Sequence, residues 1–334
     1  MRGSSEMSNV AVTGGAGFLG SNLVKRLIAD GRSVLVLDDL SSGSVKNLKG
    51  LGVETECIVG DLKDYEFARR SLRGAQVVFH LAAEVGSVAY LHGSDARELA
   101  ALQANLVIDA NVFRACLENK VRTIVYASSV SVYPFDQQLG AHVRFREQDS
   151  DRVNPEGGYG WAKYIGEKQL ALMPDTSFGI ARIFHAYGEN LYLRPDRSQV
   201  IASLIGKAVR YPEEDFVVWG DGSQRRCFVY VEDAIDALIR LWSHAEKHGS
   251  LTVNVGSTEE VTVRQLAGMV IALSGKRIEP RYDASKPTGA LSRMPSLDRA
   301  REVLGWSPTT SFSEGLKKTY VWAEKRLASD AVSG

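Results

Sequence analysis

The chain has 334 residues, 44% of them apolar, and its forty basic and forty acidic side chains cancel. That is ample for one large or two intertwined domains, and the even charge excludes a basic face for nucleic acid or a polybasic tail for anionic membranes. No apolar run approaches the roughly 18 residues that span a bilayer, Met1–Met7 lacks the apolar core of a signal peptide, and Cys57, Cys116 and Cys227 have no metal-ligand spacing. The expectation is a cytoplasmic protein with reduced thiols and no metal.

The first element is the apolar, β-branched run Val10-Ala-Val-Thr13, which predicts a strand. Gly14-Gly-Ala-Gly17-Phe-Leu-Gly20 follows at once. Leu23, Val24, Leu27 and Ile28 then recur at helical spacing up to Asp30-Gly31. Ser33–Leu37 reads as a second buried strand, ending in Asp38. Strand, glycine turn, helix, strand and acid form the dinucleotide fingerprint. Its glycines let a pyrophosphate approach the helix N-terminus, and the acid hydrogen-bonds the adenosine ribose. A carboxylate at 38 predicts NAD over NADP, because it would repel a 2′-phosphate.

Further strands are predicted at 54–59, 77–81, 123–127 and 178–184, with amphipathic helical patterns between them, including Asn105–Glu118. This alternation predicts an α/β fold, a Rossmann-type doubly wound parallel sheet. The regularity then weakens. Residues 188–196 read as a loop, 198–209 as a helix, 216–219 as a short strand, 220–222 as a turn and 312–327 as a closing helix. The expected division is an NAD-binding unit of residues 7–184 plus 226–256, and a smaller α+β substrate lobe of residues 185–225 plus 257–330.

Tyr159-Gly-Trp-Ala-Lys163 is the segment most suggestive of chemistry. One helical turn separates i and i+4, so the Lys163 ammonium can sit beside the Tyr159 phenol. A nearby cation favours phenolate and makes the tyrosine a proton acceptor at neutral pH. Ser128-Ser129 lies about thirty residues upstream.

Together these segments resemble the extended short-chain dehydrogenase/reductase superfamily, in particular its nucleotide-sugar epimerases and dehydratases. The likeness runs nearly end to end through Thr13–Gly20, Leu37–Gly43, Gly60-Asp-Leu62, His80-Leu-Ala-Ala83, Tyr126-Ala-Ser-Ser129, Tyr159–Lys163, Gln224–Val231 and Leu304–Pro308. The resemblance implies that Gly14, Gly17, Phe18, Leu19 and Gly20 hold the NAD pyrophosphate and Asp38 the ribose. Asp61 and Leu62 would border the adenine, with Leu81, Ala82 and Ala83 beneath the cofactor and Asn105 on the following helix. Ser129 and Tyr159 would meet the sugar hydroxyl being oxidised, while Lys163 binds the nicotinamide ribose and tunes Tyr159. Arg226 matches an arginine that grips the substrate diphosphate. Asn105 reads either as a cofactor contact or as a bridge between helices. Arg293, expected in a loop, is either a second phosphate arginine or a solvated charge. His80 reads as a core histidine. Cys227 stands where the family usually has an acid and needs no redox role.

The positions after Ser129 bear on the reaction. Dehydratases of this group resemble Thr-Asp-Glu-Val-Tyr, but here the acids are replaced by Val130 and Ser131, and decarboxylases carry a glutamate at the place of Ser131. That leaves an epimerase. Several stretches resemble GDP-mannose 3,5-epimerases, among them His80–Leu91, Tyr126–Pro134 and Val218–Gly222. That family's catalytic cysteine falls on Ser131 and its lysine near Gln199, so its proton-shuttling pair is not matched. The expected reaction is therefore C4 epimerisation of a nucleotide-diphosphate sugar, UDP- or GDP-linked, through a 4-keto intermediate. The alternatives are a 3,5-epimerase with a different acid/base pair, a dehydrogenase that releases NADH, and a non-catalytic NAD-binding scaffold.

His185 replaces a usual asparagine. It could contact a uronic acid, act as an acid/base, or fill space by the phosphates. The base would lie between helix 198–207 and strand 216–219, with Trp219 at its edge. Relatives dimerise through two helices, here about 105–118 and 159–172, which predicts a homodimer.

Overall fold

Seven short runs of β-branched and apolar residues form the central sheet of the computed structural model, which describes residues 10–52, 55–140, 143–286 and 288–333. They are β1 (Val10–Thr13), β2 (Val34–Asp38), β3 (Thr55–Val59), β4 (Val77–His80), β5 (Thr123–Ser129), β6 (Ser177–Ile183) and β7 (Leu251–Val255). All pair in parallel, in the order β7-β6-β5-β4-β1-β2-β3. The order reverses between β1 and β4, and at such a switch point a crevice opens beyond the carboxyl ends of the strands.

Both faces of the sheet are covered, so its strands are continuously apolar rather than alternating. Val10, Val12, Val34 and Val36 point to one core, which also holds Leu23, Leu238 and Leu241. Ala11, Leu35 and Leu37 point to the other, with Val112, Phe113 and Leu170. The helices that supply these layers are α1 (Phe18–Ala29), α2 (Tyr65–Ser71), α3 (Asp95–Glu118), α4 (Gly157–Ala171), α5 (Val200–Arg210), α6 (Val231–His248), α7 (Val263–Ser274) and α8 (Phe312–Ser333). Among the described residues, no helix is long and apolar enough to cross a membrane.

A second, four-stranded sheet stands over the crevice. Its order is Glu260–Thr262, Arg225–Cys227, Ser292–Pro295 and Arg144–Phe145. A separate pair, Val217–Trp219 with Arg281–Asp283, lies beside it in sequence and is parallel.

Several boundaries differ from the sequence reading. Helix α3 starts at Asp95, ten residues before Asn105, because the Ser94 side chain caps it by accepting from Arg97 N, and Asp95 and Glu98 favour its first turn. Helix α8 runs past 327 to Ser333. Arg293 is not in a loop: Ser292–Pro295 is a strand that pairs with both Arg225–Cys227 and Arg144–Phe145. Residues 225–227 thus lie in the second sheet, while β7 lies in the first. Residues 7–9 and Glu54 lie outside the described residues.

Candidate active site

The carboxyl ends of β1, β4, β5 and β6 open into one continuous cleft of ≈ 480 Å³, which extends up to the second sheet. At its β1 end the chain turns at Gly14, with φ +67, and a Cβ there would meet Ala82 N at 2.8 Å. Only glycine suits both the left-handed backbone and the close strand. A Cβ on Gly20 would lie 2.1 Å from Gly14 O, so α1 starts tight against the turn. Gly17 is the N-cap of α1 and offers no capping side chain, which leaves first-turn N–H groups for a ligand.

Asp38, at the end of β2, is buried. Its Oδ2 accepts from Ala16 N at 2.9 Å and Oδ1 from Leu40 N at 2.8 Å. Burial raises its carboxyl pKa, while these N–H groups oppose the rise. Phe18, Leu19, Asp61, Leu62 and Leu81–Ala83 line the same arm of the cleft. Asn105 does not. Its amide is spent on the segment after β4, accepting from Glu84 N at 2.9 Å and donating to Glu84 O and Ala101 O. Asn105 thus ties α3 to the non-helical segment at Glu84 rather than to a second helix.

Ser129 ends β5, and Tyr159 and Lys163 face it from α4. Burial pushes the Tyr159 phenol up to about 12, against an opposing pull from Ser129. The Lys163 side chain is directed to the Tyr126 ring. Its Nζ is buried without a hydrogen-bond partner and lies 4.5 Å from the centre of the Tyr126 ring. Burial pulls the Lys163 pKa down, while Asp109 and Glu167 pull it back up.

Those two acids, with Tyr126 and Arg182, are functional neighbours that the sequence reading missed. Tyr126 donates to Asp109 Oδ2 at 2.5 Å, and His80 joins Asp109 Oδ1 at 3.0 Å and Thr13 Oγ1 at 2.7 Å. His80 is thus a satisfied core histidine, which burial keeps neutral. Glu167 accepts from Ser128 at 2.5 Å and holds Arg182 in a bidentate pair at 2.6 and 2.9 Å. One signal was available: Asp109 lies one turn from Asn105 on the buried face of α3, with Val112 and Cys116 beyond.

At the far end, Arg226 and Arg293 are register partners on adjacent strands. Arg226 Nη2 donates to Ala290 O at 2.7 Å, and burial followed by repulsion from Arg293 lowers its pKa to about 9. Arg293 forms an ion pair with Glu156, and its Nε is buried without a partner. Glu156 was also missed. Its Oε2 accepts from Ser131 Oγ at 3.1 Å, and its N–H donates to Ser131 O at 2.8 Å.

His185 follows β6 in a left-handed conformation, φ 49. Its Nδ1 is buried without a partner, and burial first, then Arg226 and Arg293, hold its pKa well below the usual value. The imidazole therefore sits neutral beside the arginines. Trp219 is 39% exposed at the cleft edge, where Lys207 donates to Val217 O at 2.6 Å. No cysteine lines the cleft; Cys227 is buried and its thiol is pushed up to about 12.

A family model described as "NAD dependent epimerase/dehydratase family" matches residues 10–256. The chain belongs to that family. Among its relatives, GDP-mannose 3,5-epimerase 1 of Oryza sativa subsp. japonica is 26% identical over 337 residues, 99% of this chain and 85% of the rice protein. The UDP-glucose 4-epimerase of Thermotoga maritima, solved with UDP-glucose, superposes with a TM-score of 0.82 at 28% identity, covering 96% of this chain and 99% of that one. MoeE5, solved with UDP-glucose and NAD, gives 0.79 at 30% identity, with the same coverage. The protein is accordingly an NAD-dependent nucleotide-sugar enzyme with a Rossmann-type fold. The cleft fits that cofactor: it has a glycine turn closed to any Cβ, an accepting carboxylate at Asp38 and the orphaned Lys163 ammonium.

Proposed function

We propose that the enzyme inverts C4 of a nucleotide-diphosphate hexose through a 4-keto intermediate. The observation that carries this reading is the Ser129–Tyr159–Lys163 set at the middle of a single cleft, with Asp38 at one end and the Arg226–Arg293 pair at the other. Gly14, Gly17, Phe18, Leu19 and Gly20 would hold the pyrophosphate, Asp38 the ribose, Asp61 and Leu62 the adenine, and Leu81–Ala83 the ring above β4. Asn105 would act behind them, fixing the Glu84 segment. Residues 7–184 with 226–256 would form the cofactor unit, and 185–225 with 257–330 the substrate lobe.

NAD, when bound, would supply the hydride acceptor and donor. Tyr159 then accepts the sugar O4 proton and later returns it. Ser129 orients the hydroxyl, and Lys163, whose Nζ has no hydrogen-bond partner, would hold the nicotinamide ribose. Arg226 and Arg293 grip the diphosphate, His185 offers a neutral contact beside them, Ser131 orders the floor and Trp219 borders the base.

Neither a carboxylate pair at 130–131 nor a thiol is there to shuttle a carbon-bound proton. That favours C4 inversion over the 3,5-epimerase reading. The solved relatives bound to UDP-glucose support a UDP-linked substrate, and the rice relative keeps GDP-linked sugars as the second candidate. Exposed Leu99 and Val107 on α3 and Trp161 on α4 support a homodimer through these helices, and three free thiols suit the cytoplasm. The test is incubation with UDP- and GDP-linked hexoses without added NAD. Catalytic formation of a C4 epimer is expected; product that appears only when NAD is added, with NADH formed in step, would mean a dehydrogenase.

A further inference from the structure

The C4 mechanism makes no use of Glu156, a buried carboxylate that lines the cleft. It is the N-cap residue of α4, one turn before Tyr159. Its Oε2 is held from one side by Ser131, two residues beyond Ser129, and from the other by Arg293. In the proposed reading, O4 of the sugar lies at Ser129 and Tyr159, and the diphosphate on C1 lies at the arginines. C1 and C4 are opposite corners of a pyranose. A carboxylate bonded to both Ser131 and Arg293 would flank the ring between them. Its Oε1 accepts no hydrogen bond among the described residues.

Charge at this end of the cleft is closely counted. The cations lining the cleft are Lys63, Lys163, Lys207, Arg226 and Arg293. Lys63 pairs with Asp61 at 3.3 Å, at the cofactor end. Lys207 donates to Val217 O, in the strand that ends at Trp219 and the end proposed for the base, and Lys163 lies over the Tyr126 ring near Asp109 and Glu167. Arg226 and Arg293 remain to meet the two charges of a diphosphate, and Glu156 already adds a third negative charge. His185 stays neutral beside them and brings no positive charge. A carboxylate on the sugar would enter without a partner in a buried space, next to another carboxylate. A hydroxymethyl group or ring hydroxyl would instead donate to Oε1.

We propose that Glu156 is the specificity-determining residue for the sugar: it accepts hydrogen bonds from a neutral hexose and rejects uronates. This rests on the nucleotide-sugar reading above and assigns the substrate class within it.

The test is calorimetric binding to the NAD-loaded protein, using pairs that differ only at the C5 substituent: UDP-glucose against UDP-glucuronate, and GDP-mannose against GDP-mannuronate. The wild type is expected to prefer the neutral member of the pair it accepts by about tenfold or more. Glu156→Gln keeps the size and one acceptor and removes the charge, so the ratio should fall towards one, while Glu156→Asp should keep it. The ratio is the readout because loss of the Arg293 pair alone would weaken both members alike. A uronate that binds the wild type as tightly as its hexose, or a ratio unmoved in Glu156→Gln, overturns the proposal and leaves the epimerase reading intact. No binding of either pair overturns that reading as well.

Discussion

Tyr159 lies where two opposing effects meet. The i, i+4 spacing predicts a phenol acidified by Lys163, whereas burial pushes it up to about 12. The lysine is turned towards Tyr126 and the buried Asp109, so its field supports the floor of the site more than the phenol. A group whose folded pKa lies above its unfolded value stabilises the fold below the unfolded value, here near 10, and loses that contribution as pH rises through about 12. Tyr159→Phe should therefore flatten part of the fall in melting temperature between pH 10 and 12, read in thermal melts. The same variant should lose about 10²–10⁴-fold in kcat while still retaining NAD. Unchanged turnover would remove Tyr159 from the proton-transfer role.

Among elements, β6 and α4 are locked together behind the site. Arg182 on β6 and Glu167 on α4 form a bidentate pair, with both side chains 6% exposed, and Ser128 of β5 donates to the same carboxylate. Removing one partner strands a buried charge, so Glu167→Ala should cost about 3–5 kcal/mol in chemical denaturation. A loss below about 1 kcal/mol would show that water reaches the pair. Strands β1–β6 and the glycine turn were legible because periodicity and backbone demand are local properties; β7 was not, since its five residues include Asn254, whose side chain bonds Phe145 O and Ser296 O. The start of α3 at Asp95 was not, since residues 95–104 carry little apolar periodicity and their helix depends on the Ser94 cap and on contacts made elsewhere. Ser129, Tyr159 and Lys163 could be read from spacing within one helix and one strand end. Glu156 and the strand position of Arg293 could not, because they are defined by each other far along the chain: Arg293 lies 137 residues from Glu156.

In the whole molecule, a second sheet stands over the crevice of the parallel sheet, with one cleft between them. The assembly proposed for it leaves the cleft free, because it uses α3 and α4, where Leu99, Val107 and Trp161 are 53%, 42% and 40% exposed. Paired substitution of Leu99 and Val107 by aspartate should shift the sedimentation coefficient from dimer to monomer without unfolding the sheet; a wild type that sediments as a monomer would end that proposal. The most direct test of the central claim is proton NMR of turnover in heavy water with the NAD-loaded enzyme and its hexose substrate. A C4 epimer that carries no deuterium on carbon is predicted, because the hydrogen would leave and return as hydride without exchanging with solvent. Deuterium at C3 or C5 of the product would contradict it and require a carbon-acid pair beyond Ser129, Tyr159 and Lys163.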